Sequence, residues 1–104
     1  MPTLASTCVF HPGDFYQAQQ ARFEWLRKQG IGEEAATSAI AAYFATFNDA
    51  SLRATAQGHA GFAHLVAEQT PGGMNEQVIR EMTENGSYKN LDAAMDNVYK
   101  RMMG

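Results

Sequence analysis

Thr70-Pro71-Gly72-Gly73-Met74-Asn75-Glu76-Gln77 is the stretch whose residue types come nearest to a binding site. Gly72 and Gly73 leave the backbone without a Cβ, so their amides can approach a ligand closely. The first N–H groups of a helix have no acceptor inside it, and with the helix dipole they can hold a carboxylate or a phosphate. Pro71 is acceptable in a first helical turn, where its missing N–H would lack a partner anyway. Thr70 before it is pushed toward extended backbone, and its hydroxyl can cap the amides that follow. The same pattern also makes a plain tight corner between two helices, the commoner use of a glycine pair.

Elsewhere the chemistry-bearing residues do not assemble. No nucleophile and base, no carboxylate pair and no metal cluster stand at a useful spacing. Cys8 is alone, which excludes an internal disulfide or a cysteine-based zinc site and leaves a small apolar residue or an incidental thiol. His59 and His64 are five apart and so do not share a helix face as ligands. There is no G-x-G-x-x-G after a strand and no P-loop, so the chain is not expected to bind a dinucleotide unaided. A formal net charge of −3 with no basic cluster argues against nucleic acid.

The elements that would position the corner read as helices. At 104 residues and 45% hydrophobic, the chain is sized for one domain with a modest core. No apolar run is long enough to span a membrane and no leader pattern opens the chain, so a cytoplasmic location is expected. Residues 1–13 are weakly patterned, with Pro2, His11, Pro12 and Gly13 opposing a helix, and read as a loosely ordered segment or a linker remnant. The helical domain is expected over 14–104. Asp14 suits an N-cap for a helix to about Gln29, with Gly30 at its C′ position. Phe15, Ala18, Arg22, Trp25 and Leu26 follow its period, with Phe23 in the adjacent row, and read as packing.

From about Glu33 to Asn48 a second helix is rich in alanine, with Ile40, Tyr43, Phe44 and Phe47 as its bulky rows. It is apolar around most of its girth, more than one small domain can cover, which predicts a homodimer. Ala39, Ala42, Tyr43, Phe44 and Phe47 are the expected interface. Asn48-Asp49-Ala50-Ser51 reads as a bend or short interruption, and Gly58 to Gly61 as another before Phe62, Leu65 and Val66. Beyond the glycine corner, Met74, Val78 and Met82 form one helix face, with Ile79 beside them. Asn85-Gly86 ends that helix, and Leu91, Ala94, Met95, Val98 and Met102 trace the stripe of the last. The methionines read as gap-filling core or interface residues. The fold is expected to be all-α, with about five helices and no sheet.

The Thr70-Pro-Gly-Gly corner, Val78-Ile79-Arg80, the Asn85-Gly86 break and the helix from Leu91 to Met102 resemble the C-terminal domain of pyrroline-5-carboxylate reductases. More specifically, they look like the divergent relatives termed pyrroline-5-carboxylate reductase-like NADP oxidoreductases. The similarity reaches back more loosely to about Phe15. The resemblance implies an all-helical domain that interlocks with a second copy, beside a Rossmann domain that binds NAD(P)H. It implies hydride transfer to a carbon–nitrogen double bond, with this half orienting a small anionic imine-type substrate. Carried over by position, Gly72, Gly73, Met74 and Asn75 would offer backbone amides to the substrate carboxylate, flanked by Thr70. Met74 stands where those reductases carry a threonine that hydrogen-bonds near the imine, which points to a substrate other than pyrroline-5-carboxylate. Gly73→Val is then the natural way to block the amides. Without a Rossmann domain the chain is expected to be inactive and to bind no cofactor, NAD(P)H belonging to a full-length protein. The second reading is a stand-alone helical module for self-association or for binding another protein.

Overall fold

The computed structural model describes residues 12–56 and 61–104, and these form five α-helices with no strand among them. The helices are α1 (Pro12–Lys28), α2 (Glu33–Ala56), α3 (Gly61–Ala67), α4 (Met74–Glu84) and α5 (Ser87–Met103). The expected all-α class is what the structure has. None of the described helices is long and apolar enough to cross a membrane. Cys8, His11, Gly58 and His59 lie outside the described residues.

Two compact units divide the described helices, Pro12–Ala67 and the residues from Glu68 onward. In the first, α1 packs on α2, and α2 on α3. Pro12 and Gly13 belong to α1, which therefore starts ahead of Asp14, the expected cap. Proline at a first helical position gives up no hydrogen bond, and Asp14 sits in the first turn, where the dipole favours its charge. At the far end Gly30 takes φ +92°, a left-handed conformation that favours glycine. Its N–H donates to the Arg27 carbonyl at 2.9 Å and the Ile31 N–H donates to the Leu26 carbonyl at 3.2 Å. That pair of bonds is a Schellman stop, and it folds the chain back into α2 within four residues.

Helix α2 corrects one expectation, because it runs without interruption through Asn48-Asp49-Ala50-Ser51. Polar residues of these types break helices when their side chains draw backbone groups out of the ladder. Here they bond along the helix instead. Asp49 pairs with Arg53 one turn on at 3.0 Å, the Ser51 hydroxyl donates to the Asn48 carbonyl at 3.2 Å, and Thr55 donates to the Ser51 carbonyl at 3.0 Å. With 24 residues, α2 is about 36 Å long at 1.5 Å per residue. It is the longest described element, and both α1 and α3 pack on it.

Helix α3 begins at Gly61, and there the chain passes very close to α2. A Cβ at Gly61 would lie 2.9 Å from the Thr55 Cα and 3.0 Å from its methyl carbon. Only a residue without a side chain fits that approach.

The second unit is the α4–α5 pair. Asn85 and Gly86 join it as their types suggest. The Asn85 N–H donates to the Glu81 carbonyl at 3.0 Å, and Gly86, at φ +83°, donates to the Thr83 carbonyl at 3.2 Å. The Asn85 side-chain oxygen accepts from both the N–H and the hydroxyl of Ser87, at 3.0 and 2.5 Å. One asparagine thus closes α4 and opens α5, which keeps the connection to two residues.

Candidate functional site

The corner ahead of α4 is a four-residue turn closed by the Gly73 N–H, which donates to the Thr70 carbonyl at 2.9 Å. Gly72 inside the turn has φ +77°, a conformation open to glycine at little cost. Gly73 is the N-cap of α4, with extended φ −80° and ψ 174°, and no side chain caps the helix. The Thr70 hydroxyl therefore does not take the capping role its position suggested, and Pro71 stays in the turn rather than the helix. The first bond of α4 runs from the Gln77 N–H to the Gly73 carbonyl at 3.0 Å. Three amides, those of Met74, Asn75 and Glu76, are left without an intrahelical acceptor.

This geometry divides the expected site residues. The Gly73 amide is already engaged by Thr70, so it is closed to a ligand while the turn holds. Met74 and Asn75 lie in the first turn of α4, where the amide pattern can meet an anion. Thr70, Gly73, Met74 and Asn75 share one small cleft of about 200 Å³ with Glu68 and Gln69. Gly72 does not line it and acts instead through its left-handed turn. Met74 is 85% exposed, so its thioether is held by little. No lysine or arginine lines the cleft, and Glu68 does. Glu68 and Gln69 were missed from the sequence because they immediately precede the recognisable motif and carry no spacing signal of their own.

Gly73→Val also changes meaning in this geometry. A Cβ at Gly73 would stand 3.1 Å from the Thr70 carbonyl oxygen and 3.4 Å from the Thr70 Cβ. A branched side chain there would push on the turn itself, so that substitution tests the corner's shape along with its amides.

The second candidate is the face of the α1–α2 pair. Five aromatic rings form a run of edge-to-face contacts across the two helices. Tyr16 meets Phe15 at 6.0 Å between centroids, and Phe15 meets Phe44 at 5.2 Å. Phe44 meets Tyr43 at 5.3 Å, and Tyr43 meets Phe47 at 4.9 Å. The Arg22 guanidinium lies over the Phe44 and Tyr43 rings at 5.4 and 6.0 Å while donating to the Ala18 carbonyl at 2.9 Å. Such a stack uses the ring quadrupoles and keeps the cation's outer edge in water.

Ala39, Ala42, Tyr43 and Phe47 are all exposed, and Phe44 is half-buried against α1. Phe44 therefore helps hold α1 to α2 and is a poor probe of anything beyond the pair. Trp25, expected within the packed row of α1, is 56% exposed, whereas Phe23 and Leu26 are half-buried. A shallow groove of about 490 Å³ runs between Tyr16, Gln20 and Phe23 of α1 and Glu33, Thr37 and Ile40 of α2. Its lining mixes polar and apolar side chains.

Among the described residues, Ala36 is the one that is fully buried. No three His, Cys, Asp or Glu side chains among them gather as a metal site. No family model, curated protein or solved structure matches the chain.

Proposed function

We propose that this chain is the dimerisation and substrate-side part of an NAD(P)H-dependent imine reductase similar to the pyrroline-5-carboxylate reductases. The observation that carries the reading is the exposed aromatic face of α1 and α2, with Ala36 alone buried among the described residues. A helix pair that leaves Tyr16, Tyr43 and Phe47 exposed presents an apolar face that asks for cover. A second copy supplies it in the reductases this sequence resembles. The corner ahead of α4 supports the substrate side of the reading, because a glycine turn delivers unbonded helix amides to a small cleft.

In that role the chain does no bond-making of its own. NAD(P)H, held by a Rossmann domain, would supply the hydride for the imine carbon, with the proton for the nitrogen coming from solvent. The amides of Met74, Asn75 and Glu76 hold the substrate carboxylate, and the turn from Thr70 to Gly73 fixes where they point. Glu68 on the same cleft suits a substrate whose protonated imine nitrogen lies beside its carboxylate. Met74 replaces the threonine of the resembling reductases and shifts the preferred substrate away from pyrroline-5-carboxylate.

The test is steady-state NADPH oxidation, with a panel of cyclic imino acids, by the protein joined to its Rossmann domain. Met74→Thr should raise kcat/KM for pyrroline-5-carboxylate relative to the other imines. A reading frame upstream of Met1 with no G-x-G-x-x-G strand–helix unit, or no imine-dependent oxidation by the joined protein, would overturn the reductase reading. A stable dimer would then be left as the chain's whole role.

A further inference from the structure

We draw no further inference here: the strongest candidate, the aromatic shelf on the α1–α2 pair where Arg22 lies over Tyr43 and Phe44, is the face already assigned to self-association, and nothing in the structure shows what else covers it.

Discussion

Two glycines with opposite surroundings give the sharpest single-residue test. Gly61 has the Thr55 backbone 2.9 Å from where a Cβ would stand, so Gly61→Ala must push α3 off the last turn of α2. Overpacking of this kind costs about 1–3 kcal/mol. Gly13 is also helical, but a Cβ there meets nothing within 4 Å. Gly13→Ala should leave stability unchanged or raise it by up to about 1 kcal/mol through helix propensity. Urea unfolding of both variants at one fixed protein concentration checks the pair, since association would otherwise shift the midpoints. Equal midpoints would mean that α3 does not sit against Thr55. The corner residues call for a different substitution. Gly72→Ala forces a side chain into φ +77°, at a cost of about 1–2 kcal/mol, without placing any atom against a neighbour. In the same unfolding assay it should lower stability by that amount, whereas Met74→Thr, at a residue 85% exposed, should stay within about 0.5 kcal/mol of the parent.

At the scale of elements, the sequence was legible wherever periodicity and punctuation agreed. Gly30 and Gly86 both mark helix ends because a left-handed residue is needed there, and both are found in that conformation. Reading failed where polar residues had two uses. Asn48, Asp49 and Ser51 are turn formers by type, yet Ser51 donates to the Asn48 carbonyl, Asp49 pairs with Arg53, and the helix continues. Nothing local in the sequence chooses between those uses; the packing of α1 and α3 on the same helix does. The corner was half legible for a related reason. Its glycines announced a turn, but which amides stay available depends on the Gly73-to-Thr70 bond, which composition cannot reveal. Amide hydrogen exchange tests the continuity of α2. Protection should run without a gap from Ala45 to Leu52, and a fast-exchanging window confined to 48–51 would restore the interruption.

For the whole molecule, the prediction is a homodimer at micromolar concentration by light scattering. Burying a side chain such as Phe47, now 58% exposed, is worth about 1.5–3 kcal/mol, and obligate helical interfaces usually remove more than about 2,000 Å² from water. Ala42→Asp is the informative variant. Ala42 is exposed in the single chain, so a carboxylate there leaves α1–α2 packing intact but would be buried unpaired in an interface built on α2. A penalty of about 4 kcal/mol weakens association a thousandfold, since each 1.4 kcal/mol is a factor of ten. Ala42→Asp should therefore run as a monomer with unchanged helical circular dichroism. Phe44→Asp would mislead, because Phe44 contacts Phe15 and Arg22 within the pair and its loss would unfold the protomer. A parent chain that scatters as a well-folded monomer would remove the dimer. A dimer indifferent to Ala42→Asp would keep self-association and move the interface off this face of α2.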